Sequence, residues 1–126
     1  MNQRYALVVG AITGALAVAL GAFGAHALKP YLLEIGRVDT FELAVRYQFY
    51  HTFAILFTGI TQARYTSGYL RSAPVAFIAG IILFCGSLYT LCFAGTSWVV
   101  FVTPVGGVLF IAGWLLLLAG VIKSKG

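Results

Sequence analysis

The chain has 126 residues, of which 61% are hydrophobic and only 9% charged, and its mean hydropathy is +0.98. A water-soluble domain of this size needs far more polar surface, so composition excludes one and makes lipid the solvent for most of the chain. The net charge of +5 comes from eight Lys and Arg dispersed at the ends of apolar segments. That dispersal encodes membrane topology and argues against nucleic-acid binding.

The first apolar segment, Tyr5 to Ala27, is uncharged between Arg4 and Lys29. It exceeds the about 7–15 residues of a signal-peptide core and can cross about 30 Å of hydrocarbon. Gly10 and Gly14, then Ala17, Gly21 and Ala25, form small-residue stripes suited to close helix approach. Pro30 is expected to end this helix. Tyr31 to Val38 then forms a connector, with a short interfacial helical turn. Asp39 is the expected N-cap of the next helix, with Glu42 in the capping-box position.

The second apolar segment follows Arg46 and ends before Arg64, and a polar connector runs to Ser72. From Ser72 to Ile122 there is no charge, a length of two membrane widths whose one credible break is Gly95-Thr96-Ser97. Trp98 is expected at the interface there. Pro104 falls in the first turns of the last helix, where a missing N–H costs little. Gly106, Gly107, Gly113 and Gly120 supply further close-packing positions.

These segments predict an all-α fold, a four-helix transmembrane bundle forming one integral membrane domain over 1–126. The expected spans are about 5–27, 41–63, 73–94 and 99–122, with a short interfacial connector between helices 1 and 2. Four spans put Arg4, Arg64, Arg71, Lys123 and Lys125 on one side with no acid. The other side mixes Lys29, Arg37 and Arg46 with Glu34, Asp39 and Glu42. The N- and C-termini are therefore expected to be cytoplasmic.

One stretch breaks the apolar pattern. Glu42, Arg46, Tyr47, Gln48, Tyr50 and His51 crowd into ten residues at the start of the second span. In the expected topology His26, Ser87, Tyr89 and Thr103 lie at similar depth, in the outer half of the bundle. Ionisable residues within spans are costly and raise a functional hypothesis by default. The candidate ligand-binding set is therefore His26, Glu42, Arg46, Tyr47, Gln48, His51, Ser87, Tyr89 and Thr103. Each also has a structural reading. Glu42 can cap its helix or pair with Arg46, and Arg46 can snorkel. His51 and Gln48 can bond between helices, His26 can cap carbonyls, and the tyrosines can form an aromatic belt. Cys85 and Cys92, seven apart on one helix, are too distant for a disulfide and read as packing residues.

The patterns Gly21-Ala-Phe-Gly-Ala-His26, Ala44-Val-Arg-Tyr-Gln-Phe-Tyr-His51, Gly86-Ser-Leu-Tyr89 and Thr103-Pro-Val-Gly-Gly107…Gly113-Trp114 resemble the domain-of-unknown-function 423 family. The resemblance covers essentially the whole chain. It implies a small multi-pass protein of a bacterial inner membrane or organelle, and no activity comes with it. The family pattern commonly has glycine after the histidine of its first motif. Ala27 stands there instead, with a stiffer helix end expected.

Four functions compete. The first is non-enzymatic binding of a lipid headgroup or small anionic ligand, with Arg46 supplying the charge. The second is an assembly subunit whose polar cluster is structural. The third is an oligomeric small transporter or channel, disfavoured because no charge or broken helix lies near mid-membrane. The fourth is redox or enzymatic. Haem ligation by His26 and His51 is disfavoured by their different depths, and no nucleophile is spaced with a base and an acid. The sequence thus points to no catalytic residue, no metal and no cofactor. The expected partners are the lipid bilayer, a second copy through Gly/Ala-rich helix faces, and another membrane protein.

Overall fold

The computed structural model describes residues 1–124, and Lys125, one of the bases used to orient the chain, lies outside them. The described residues form five helices: α1 (Gln3–Ala25), α2 (Lys29–Ile35), α3 (Val38–Thr61), α4 (Gly68–Ala94) and α5 (Ser97–Lys123). Helix α4 contains a π turn at Ile81–Cys85, and α5 begins with a 3₁₀ turn, Ser97–Phe101.

The four-helix transmembrane expectation is corrected. Among the described residues three helices are long and apolar enough to cross a membrane, and they are α1, α4 and α5. Helix α3 has 24 residues, length enough, but it carries Asp39, Glu42, Arg46, Gln48 and His51. That polar load removes it from the set. The assignment of both termini to the cytoplasm rested on four crossings and falls with it.

The helical bundle is built from two packed pairs. Helix α1 packs along α3, α5 packs along α4, and α3 joins the two pairs by contacting α4. The backbones of α3 and α5 stay farther apart, and the two helices meet mainly through His51, which reaches Phe110 and Trp114. The result is an open arrangement with α3 near its centre.

Local chemistry explains most boundaries. Asn2 caps α1, its side chain accepting from the Tyr5 N–H at 2.9 Å. The helix ends at Ala25, before Ala27, so Ala27 stiffens no helix end. Pro30 opens α2 at one of its first two positions, where a proline has no N–H to lose. Gly36 and Gly95 terminate α2 and α4 in the left-handed region, at φ 68° and 65°. Helix α3 starts at Val38 with Arg37 in the capping position and no side-chain cap, so the expected Asp39 cap is also corrected. Asp39 instead sits in the first turn, where a carboxylate favours the positive end of the helix dipole.

Pro74 lies inside α4 and withholds the N–H that would bond the Leu70 carbonyl. The Gln62 side chain supplies the missing donor, 3.0 Å from that oxygen. At the same end, the Met1 ammonium donates to the Arg71 carbonyl and Lys123 lies over the Tyr69 ring. Arg4, Arg64, Arg71 and Lys123 thus collect at one pole of the molecule. At the opposite pole the Tyr31 hydroxyl donates to the Cys92 carbonyl at 2.7 Å, fastening α2 to the end of α4.

The α4–α5 seam is built by alternating size. A Cβ on Gly106, Gly113 or Gly120 would overlap Phe84, Phe77 or Leu70 respectively, and one on Gly80 would overlap Phe110. The seven-residue spacing on both helices keeps one face of α5 against one face of α4. These glycines, expected to serve contacts with other helices, are filled by large side chains of the same chain.

Candidate functional site

The polar residues of α3 divide between its interior and exposed faces. Gln48 is buried at 3% exposure. Its amide N–H donates to the Thr13 carbonyl at 2.9 Å, and its amide oxygen accepts from the Tyr89 hydroxyl at 2.7 Å. The Thr52 hydroxyl donates to that of Thr13 at 2.9 Å. One amide thereby ties α1, α3 and α4 together. On the α4–α5 side, the Ser87 and Thr103 hydroxyls share a hydrogen bond of 2.6 Å. Ser87 also reaches the Phe84 carbonyl, in the π turn, at 2.8 Å.

His51, 4% exposed, is held at both ring nitrogens. The Trp114 indole can only donate, so its 3.2 Å bond makes His51 Nε2 an acceptor. The proton then sits on Nδ1, which donates to the Tyr47 carbonyl at 2.7 Å. The neutral ring lies flat on Phe110, with centroids 3.5 Å apart and planes 8° apart. Tyr47 stacks on Phe84 at 4.8 Å. No buried side-chain nitrogen or oxygen among the described residues lacks a partner.

The expected cluster is therefore several separate groups. Gln48 meets Tyr89, Ser87 meets Thr103, and His51 meets Tyr47. His26, Glu42 and Arg46 are exposed and join none of them. His26 caps α1 through its backbone N–H, which reaches the Ala22 and Phe23 carbonyls. Glu42 lies 3.9 Å from Lys29, not against Arg46 as the i,i+4 spacing suggested, and Arg46 has no carboxylate partner among the described residues. His26 is exposed at the end of α1 while His51 is buried against Phe110 and Trp114, and among the described residues no cluster of His, Cys, Asp and Glu is suited to a metal.

Several depressions mark the surface: one of ≈ 460 Å³ between α1 and α4 is bordered by Gln48 and Tyr89, and one of ≈ 260 Å³ between α1 and α3 by Glu42 and Arg46. A groove of ≈ 640 Å³ runs between α3 and α5, lined by Tyr47, Tyr50, Phe84, Pro104, Phe110 and Trp114, among others. His51 also lines it. A second depression of ≈ 330 Å³ continues it toward Phe53, Phe57 and Leu117, and Tyr50 and Trp114 border both. The rims are apolar and exposed: Val108, Ile111, Phe53 and Phe57 are each more than half accessible. Of the expected ligand-binding set, Tyr47 and His51 line this groove; its other walls are ordinary apolar residues that the sequence did not single out. The missed partners were Thr13, which acts through both its backbone carbonyl and its hydroxyl, and Trp114, whose indole N–H was a donor in need of an acceptor.

The family model described as "Protein of unknown function (DUF423)" matches residues 20–107. The chain belongs to this family. It is 42% identical to the UPF0382 inner membrane protein YgdD of Escherichia coli K12, over 99% of this chain and 95% of the relative. A UPF0382 membrane protein of Haemophilus influenzae is 38% identical, covering 99% of this chain and 98% of its own length. One from Staphylococcus aureus is 38% identical, over 95% of this chain and 97% of the relative. No solved structure matches the chain. The protein is a multi-pass protein of the bacterial inner membrane, with the bilayer as its immediate partner.

Proposed function

We propose that this protein binds an anionic phospholipid without catalysing a reaction on it. One acyl chain would lie in the groove between α3 and α5, and the headgroup would sit at its Pro104 end. The observation that carries this reading is the groove itself, apolar and aromatic, within the usual ligand-site range of about 300–1,000 Å³. Its rims are side chains suited to lipid, so a chain enters sideways from the bilayer. Arg46 supports the choice of an anion. It is exposed, has no acid partner among the described residues, and lies one turn from Tyr50 toward the N-terminal end of α3, bordering the depression between α1 and α3 next to the groove and not the groove itself.

The internally bonded polar groups favour a second reading. Gln48, Tyr89, Ser87 and Thr103 act in it as the bonds that fix helix positions, in a protein whose role is to support a membrane complex. The two readings separate in native mass spectrometry of protein extracted gently from its own membrane. The lipid reading expects one phospholipid per protomer, with occupancy falling severalfold in Arg46→Ala and the unfolding midpoint unchanged. Bare protein, or protein carrying a second polypeptide in stoichiometric amount, sinks it in favour of the supporting role.

A further inference from the structure

We infer that Trp114 sets the length of chain this groove accepts, with His51 as the residue that positions it. The inference rests on the lipid reading above and adds a selectivity to it. Trp114 and Tyr50 border both depressions, so the indole stands between the larger one at the Pro104 end and the smaller one at the Leu117 end.

Such a residue limits length only if it is held in place, and the structure holds it from two directions. Its Nε1–H donates to His51 Nε2, and its ring meets Phe77 edge-on at 5.3 Å. His51 cannot readily turn away. Its other nitrogen is bound to the Tyr47 carbonyl and its ring is stacked on Phe110. Phe77 and Phe110 are themselves locked into the glycine seam opposite Gly113 and Gly80. The rigidity of the α4–α5 interface is thereby passed to a half-exposed side chain on the groove side.

The geometry gives the effect a scale. From Pro104 to Trp114 is ten residues of helix, about 15 Å, and to Leu117 about 20 Å. An extended chain advances about 1.2 Å per bond. Removing the indole therefore opens room for roughly four more carbons.

The test offers the purified full-length protein an equimolar mixture of phosphatidylglycerols with chains from short to very long, and reads the bound species by native mass spectrometry. The wild type is expected to favour a narrow range of lengths. Trp114→Ala is expected to move that range longer by about four carbons. Trp114→Phe, which keeps a ring but loses the N–H to His51, is expected to broaden the range and guards against a folding defect in the alanine variant. Lipid bound by all three proteins with one unchanged length distribution overturns the length role and leaves lipid binding intact. A wild type that binds no phosphatidylglycerol overturns both.

Discussion

Helix α5 has two working faces, and they are built on opposite rules. Toward α4, Gly106, Gly113 and Gly120 admit Phe84, Phe77 and Leu70, and no room is left. Toward α3, Pro104, Val108, Ile111 and Trp114 meet Tyr47 and Tyr50 across a groove of ≈ 640 Å³. Lipid is as apolar as leucine, so hydrophobicity alone does not draw membrane helices together; close fit and hydrogen bonds do. Small residues repeated every seven positions produce that fit on one face. On the other face the close fit is confined to His51 against Phe110 and Trp114, and the space beside that contact stays accessible to the bilayer.

The sharpest way to break this contrast is a pair of adjacent glycines. Gly106→Val would drive its side chain into the backbone of the π turn at Phe84, which cannot move aside as a flexible side chain could. The expected loss is about 3 kcal/mol, read as a lowered midpoint in detergent unfolding. A Cβ on Gly107 would sit 3.9 Å from the Phe84 ring, ordinary contact, so Gly107→Ala is expected to unfold with the wild type. Equal losses at both positions would contradict the seam. A smaller effect is expected from Gln48→Leu, which strands the Tyr89 hydroxyl in the interior. The cost is about 1–3 kcal/mol. The double variant Gln48→Leu with Tyr89→Phe should recover part of it, because no hydroxyl is then left unpaired.

The contrast also separates what the sequence makes legible from what it hides. Composition and charge spacing carry the membrane setting and the crossing helices α1, α4 and α5, because hydropathy is summed over about twenty residues and tolerates local error. The same summation overstated α3. Its apolar half, Phe53 to Ile60, extends the run, while Arg46, Gln48 and His51 spend the first half. Gln48 and Tyr89 stood out as costly polar groups, and each needed a partner. Neither identified the other, since they are 41 positions apart and meet only through packing. The π turn at Ile81–Cys85 was invisible for the same reason, having no residue signature of its own. The glycine period of seven was readable. Its partner was not, and contact with a second chain was the natural expectation until Phe77 and Phe84 filled the positions. Exposed Arg46 and buried His51, five residues apart on one helix, look alike in sequence and differ only in which neighbour their face meets.

The most direct test of the account is quenching of Trp114 by phospholipids brominated midway along one chain. Trp98, also exposed, is first replaced by Phe so that one indole reports. Quenching is expected to saturate at a low mole fraction of brominated phosphatidylglycerol and to lose its saturable part when Val108→Phe narrows the groove. Quenching that merely rises in proportion to bulk lipid, alike with and without Val108→Phe, would contradict a lipid site between α3 and α5.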